Sequence, residues 1–330
     1  MDDMLAYLIS VVAIPAVLAG ALAAPFTVGP WRRHPRAVEA GLASAVLLAF
    51  LVSFLNELDW RAVVRQVCTI EGDSAPIERW HRLGLVAALL IPTACLFTLW
   101  TKRFRQARRT LSAGAVAVLA ACLAGWFVRF PGTSFGVQVG QGALVLACFG
   151  AWSLAAGALF WTAWVVLGVF AVLAGLGGFA SLAVMCGAMS AAAFLIGALR
   201  AVGIRLLGAV ARESVGGDAV ESADRHVAAS AITLVLAVMT ALIARCAMAY
   251  DTLGVSPSLW TAAALIPLAT SLFRDRSRAA ARPAAKTFWT WLGVALAGVL
   301  LLSMVLAVQA WRGSGNGTEA DDATSGMYGS

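Results

Sequence analysis

Charge is what this chain has least of. Only 12% of its 330 residues are Asp, Glu, Lys or Arg while 61% are hydrophobic, whereas soluble domains run near a quarter charged and about half apolar. With a mean hydropathy of +0.85, an ordinary water-soluble globule is excluded, and lipid has to be the solvent for most of the chain. The scarcity is uneven. From Phe135 to Leu199 there is no charged residue at all.

Other shortages exclude other chemistries. The histidines, His34, His81 and His226, are scattered, and the six cysteines form no CxxC pair and no metal-like spacing with histidine, which argues against a zinc or multi-haem centre. No P-loop, HExxH or EF-hand pattern occurs, so neither metal nor cofactor is expected. Cys95, Cys122, Cys148 and Cys186 fall in apolar runs and read as small packing residues, while Cys68 and Cys246 read toward one side, which leaves a disulfide between them open. Nucleic acid is not expected as a partner: the net charge of +7 has no basic stripe interleaved with aromatics, and suits loops facing an anionic leaflet. Ionisable residues inside the apolar runs are limited to Glu39 and Arg245, both near an end where they can snorkel. Ion-coupled carriers hold such groups at mid-membrane, so a pump or classical antiporter is disfavoured.

What the chain does have is apolar runs of membrane-crossing length. They extend over Met4 to Val28, Val38 to Leu55, Leu83 to Trp100, Leu111 to Val128, Val227 to Met248, Ser258 to Phe273 and Thr287 to Ala310. At roughly 20 residues per crossing, the uncharged run holds three more, with breaks near Leu159 and at Gly175-Leu176-Gly177-Gly178. In hydrocarbon every backbone N–H and C=O needs an internal partner, which a helix supplies within one segment. The expected fold class is therefore all-α: a polytopic transmembrane helix bundle of about ten spans. It forms one domain over 1–311, followed by a tail, 312–330, too polar to fold.

Cytoplasmic loops retain Lys and Arg, so the basic residues set the orientation. One side collects Arg32, Arg33 and Arg36; Lys102, Arg103, Arg105, Arg108 and Arg109; Arg200, Arg205, Arg212 and Arg225; and Arg274, Arg276, Arg278, Arg282 and Lys286. Arg61, Arg65, Arg79, Arg82, Arg129, Arg245 and Arg312 fall on the other. The alternation works only with an odd number of crossings between Phe135 and Leu199, and it puts both termini outside. An acidic start, Met1-Asp2-Asp3, is wrong for a cleaved signal peptide and favours a retained first helix. Arginine-rich, alanine-rich composition points to a GC-rich bacterial genome and so to the cell inner membrane. Tryptophans near the span ends, among them Trp31, Trp80, Trp126, Trp161, Trp164 and Trp260, read as headgroup anchors.

Against this background residues 56–82 stand out as an outer segment, with Glu57, Asp59, Glu71, Asp73 and Glu78 set among Arg61, Arg65, Arg79, Arg82 and His81. Trp60, Val63, Val64, Val67 and Cys68 share one helical face, which suggests an amphipathic cap lying in the interface. Its structural reading is a solvated cap with pairs such as Glu78 and Arg82. Its functional reading is a vestibule in which Asp59, Asp73, Glu78, His81 and Arg82 receive an anionic or hydroxylated ligand.

Two motifs are set aside by context. Gly132-Thr133-Ser134-Phe135-Gly136 matches G-x-S-x-G, but a nucleophile elbow joins a strand to a helix, so a turn between spans is the better account. Gly175-Leu176-Gly177-Gly178-Phe179-Ala180 matches a loose dinucleotide fingerprint without the βαβ unit it needs. Pro15, Pro92 and Pro267 lie inside spans, where each removes a backbone bond and kinks the helix, and they are candidate hinges. No inverted repeat is supported, because the prolines do not follow a five-plus-five pairing. The expected function is a transporter-like or lipid- or small-solute-handling bundle. The alternatives are a scaffold that binds partner membrane helices through the Gly-rich spans 136–199, and an enzyme at the outer interface using His81 and nearby acids. Membrane lipids are the expected surroundings in each case.

Overall fold

The fold is seen in a computed structural model, which describes residues 2–29, 31, 35–58, 79–100, 106–128, 134–155, 159–214 and 231–278. The described elements are all helical. The first helix runs as α1 (Asp2–Leu8), a π-turn (Ile9–Ala13) and α2 (Ile14–Thr27). Then follow α3 (Pro35–Glu57), a 3-10 turn (Arg79–His81), α4 (Arg82–Trp100), α5 (Gln106–Phe127), α6 (Phe135–Leu154), α7 (Leu159–Leu176), α8 (Ala180–Ser214), α9 (Ala231–Tyr250) and α10 (Pro257–Arg278). The uncharged run forms three helices, with breaks where the sequence suggests them. The cap helix expected over Trp60 to Cys68, the span expected over Thr287 to Ala310 and the polar tail lie outside the described residues.

Among the described residues, seven helices are long and apolar enough to cross a membrane: Asp3–Thr27, Ala37–Glu57, Arg82–Leu99, Phe135–Leu154, Leu159–Leu176, Ala180–Gly203 and Ala231–Tyr250. Ser112–Trp126 and Pro257–Ala269 are apolar but shorter.

Helix α9 is the centre of the bundle. It contacts α3, α4, α5, α6, α7 and α10, and 89% of its apolar window is buried, against 28% for α6 and for the first helix. A helix apolar on every side belongs in such a position. Lipid tails are as apolar as Leu, so packing and hydrogen bonding, rather than a hydrophobic drive, join membrane helices. Side-chain bonds from Trp152 and Gln141 serve that purpose in the interior. Trp152 Nε1 on α6 donates to Thr240 Oγ1 on α9 at 3.2 Å, and Thr240 donates on to Leu236 O at 2.7 Å. Gln141 Nε2 on α6 donates to Ala124 O at 2.8 Å, which also accepts from Val128 N, and to Val128 O at 3.3 Å, at the end of α5 where carbonyls run out of helical partners.

The α7–α8 hairpin closes by a Schellman motif. Phe179 N donates to Ala174 O at 2.8 Å and Gly178 N to Gly175 O at 3.3 Å, with Gly178 at φ 79°, the left-handed position such a cap requires. A side chain at Gly178 would also meet Thr252 Oγ1, only 2.5 Å from a built Cβ.

Contacts at the helix ends sort the bundle into two faces. Tyr7, Glu57, Trp80, Phe179, Ser181, Tyr250 and Thr252 meet at one, called here the Glu57 end. At the other, the Trp161 end, Trp161 and Trp164 pack on Phe194 with ring centroids 5.7 and 5.2 Å away, and Ser190 Oγ donates to Trp164 O at 2.7 Å. Two tryptophans depart from the anchor role expected of them. Trp80 and Trp260 are 4% and 1% exposed, because neighbouring helices enclose them, whereas Trp126 and Trp31 stay 72% and 55% exposed.

Candidate functional site

Among the described residues, the Glu57 end brings together polar side chains from several helices. Glu57 closes α3, and its carboxylate accepts from two other helices: Oε2 from the Tyr7 hydroxyl of α1 at 2.5 Å, and Oε1 from the Ser181 hydroxyl of α8 at 2.9 Å. One acid thus ties three helices by charge-assisted bonds, the stronger kind.

Pro15 explains the next connection. The π-turn before it shifts the backbone pattern by one residue, so that Ile14 N–H bonds to Ile9 O. Continuing that register would send the N–H of residue 15 to Ser10 O, but proline has no N–H. Asn56 of α3 supplies the missing donor, its Nδ2 lying 3.0 Å from Ser10 O. Ser10 Oγ in turn donates to Tyr7 O at 2.7 Å. The proline that the sequence suggests as a hinge therefore directly follows a π-turn, a feature frequent at functional sites, and the carbonyl it leaves without a donor is met from α3 one residue before Glu57. Pro92 and Pro267 lie inside α4 and α10.

Aromatic rings extend the site. Phe54, one turn before Glu57, packs edge-on against Trp80 at 6.0 Å and His81 at 6.5 Å, and Trp80 and His81 are 4.3 Å apart. Trp80 then meets Phe179 at 5.4 Å, and Phe179 meets Tyr250 at 5.6 Å. His81 is thereby held in an aromatic cluster and is partly buried, rather than standing free above the membrane. Arg82, the first residue of α4, is likewise half-buried. Of the other expected vestibule residues, Asp59, Asp73 and Glu78 lie outside the described residues.

On the central helix, Arg245 donates from Nη1 to Met248 Sδ at 3.4 Å, and its Nε is buried with no hydrogen-bond partner among the described residues. Just beyond α9, Thr252 donates to Gly177 O from both N and Oγ1, at 3.2 and 3.1 Å, which fastens the end of α9 to the end of α7. Cys246 is free and buried among the α9 residues, and Cys68 lies outside the described residues. Ser134 is a helix cap: its Oγ accepts from Val137 N at 3.4 Å at the start of α6. Among the described residues no three His, Cys, Asp or Glu side chains gather closely enough to hold a metal ion.

Tyr7, Asn56, Glu57 and Ser181 are absent from the set the sequence suggests. Glu57 belongs to the conspicuous charged stretch, and Tyr7 is one of only three tyrosines, but nothing in their spacing links residues so far apart in sequence. Comparisons with protein-family models, with characterised proteins and with solved structures find no match for this chain.

Proposed function

We propose that this chain is a transporter-like protein of the bacterial inner membrane, crossing it about ten times with both termini outside, and that it handles a lipid or a small solute at its Glu57 end. The observation that carries this reading is the convergence of Tyr7, Asn56, Glu57 and Ser181, from three helices, on a π-turn at one end of an apolar bundle. Tyr7 and Asn56 are exposed there, so polar groups held by specific bonds stand open at one end of an otherwise apolar bundle.

Topology lends further support. Of the helix ends that the basic-loop count assigns to the outside, the starts of α1, α4 and α8 and the ends of α3, α7 and α9 are joined at the Glu57 end. The scarcity of charge inside the spans favours a lipid or an uncharged or hydroxylated solute over an ion-coupled cargo. The test is reconstitution in proteoliposomes, following transfer of a labelled lipid between leaflets and release of a trapped neutral solute. Faster transfer of either than in protein-free vesicles, reduced several-fold by Glu57→Gln, is expected. Rates equal to those of empty vesicles, or unchanged by the substitution, would contradict the reading.

A second reading, a scaffold for partner helices, is favoured by the outward face of α6. Gly136, Gly140, Ala143, Ala147 and Gly150 lie exposed along it, and no described side chain comes within 4 Å of a Cβ built on Gly140 or Gly150. Small residues of this kind permit close helix approach. Recovery of a stoichiometric partner in mild detergent would support it, and a clean monomer would oppose it.

A further inference from the structure

Trp260 sits in the first turn of α10, 1% exposed, with its ring stacked on Phe170 at 6.3 Å. Its indole N–H is buried and has no acceptor among the described residues. Asp251 lies in the connection from α9 to α10. Its Oδ1 accepts from Leu253 N at 3.0 Å and Gly254 N at 2.9 Å, which fixes the carboxylate, while Oδ2 is shielded from solvent and has no donor among the described residues.

The two groups meet at Gly177. A Cβ built there would lie 3.3 Å from Asp251 Oδ1 and 3.5 Å from Trp260 Cζ2, the ring atom beside the carbon that carries Nε1. A buried donor or acceptor without a partner costs about 1–3 kcal/mol, so a donor and an acceptor left this way in one place call for a shared partner. The chemistry of that partner is restricted. A cation would suit the carboxylate and leave the N–H unanswered. A carbonyl or phosphate oxygen would take the N–H and be repelled by the carboxylate. A hydroxyl does both, because its oxygen accepts while its proton is donated.

We propose that Gly177, Asp251 and Trp260 form a seat for one hydroxyl group, whose oxygen accepts from Trp260 Nε1 and whose proton goes to Asp251 Oδ2. Gly177 leaves the space a side chain would fill. The hydroxyl belongs either to a water or to a polyol headgroup, and the seat shares no residue with the Tyr7–Glu57–Ser181 network, so it stands or falls separately from transfer activity.

Ultraviolet resonance Raman spectroscopy of the full chain in mild detergent tests this, because an indole band reports N–H hydrogen bonding. Subtracting the spectrum of Trp260→Phe isolates Trp260. The expected result is a hydrogen-bonded N–H that moves toward the free position in Asp251→Asn, which faces the indole with a second donor. Gly177→Ala, which keeps every hydrogen-bonding group and fills the seat, should do the same and serves if Asp251→Asn does not fold. Added phosphatidylglycerol shifting the band, while hydroxyl-free phosphatidylcholine does not, would identify a polyol headgroup as the source. A bonded band indifferent to both lipids would identify water. A free N–H in the unsubstituted protein under every condition, or a bonded band unmoved by both substitutions, would overturn the proposal.

Discussion

The two ends of this bundle are built from the same apolar helices but joined differently. At the Trp161 end, α7 and α8 meet through Trp161, Trp164 and Phe194 and one bond from Ser190 Oγ to a carbonyl. At the Glu57 end a carboxylate is shared by hydroxyls from two helices, a proline sits behind a π-turn, and a left-handed glycine closes the hairpin. The first end requires shape. Among the described residues the second requires particular functional groups in register.

Substitutions at the two ends test that difference. The largest effect is expected from Glu57→Ala, which strands the Tyr7 and Ser181 hydroxyls. Bonds to a charged group contribute about 1.5–3 kcal/mol each, and the partial exposure of Glu57 lowers the combined loss to about 2–4 kcal/mol, readable as a lower denaturation midpoint in detergent. Gly178→Ala should follow at about 2 kcal/mol, since a left-handed backbone disfavours any side chain by about 1–2 kcal/mol and Thr252 Oγ1 stands in the way. Wild-type stability for this variant would show that the hairpin closes differently.

The brace at Pro15 permits a double-mutant cycle. Asn56→Ala should cost about 1 kcal/mol by leaving Ser10 O without its donor. In a Pro15→Ala background, residue 15 regains an N–H for that carbonyl, and the same substitution should cost much less. Additive losses would refute the coupling. Ser190→Ala, at the opposite end, should cost the least, about 0.5–1.5 kcal/mol for a neutral bond, and should leave transfer activity unchanged.

Much of the fold was legible because hydropathy along the chain maps directly onto helices in lipid. The break at Gly177-Gly178 was readable from glycine alone, and the three helices of the uncharged run from its length. The central position of α9 was not. Its sequence resembles its neighbours', and only the packing reveals that it is enclosed on every side. The site was legible in part. His81 lies at the Glu57 end, held among aromatic rings, and Arg82 begins α4 beside it. Pro15 was visible as an anomaly, but its partner Asn56 was not, because that partnership follows from a register shift in three dimensions. Trp260 read as an interface anchor, since a tryptophan near a span end says nothing about whether neighbouring helices cover it.

The account rests on the Glu57 end facing away from the cytoplasm while the Trp161 end faces it. Labelling intact cells with a membrane-impermeant thiol reagent tests this, comparing, in a background whose native cysteines are replaced, Leu253→Cys, exposed beside Asp251, with Arg200→Cys near the end of the apolar stretch Ala180–Gly203 of α8. Modification of the first before permeabilisation and of the second only after it is the predicted result. Equal labelling of both in intact cells, or the reverse order, would contradict it.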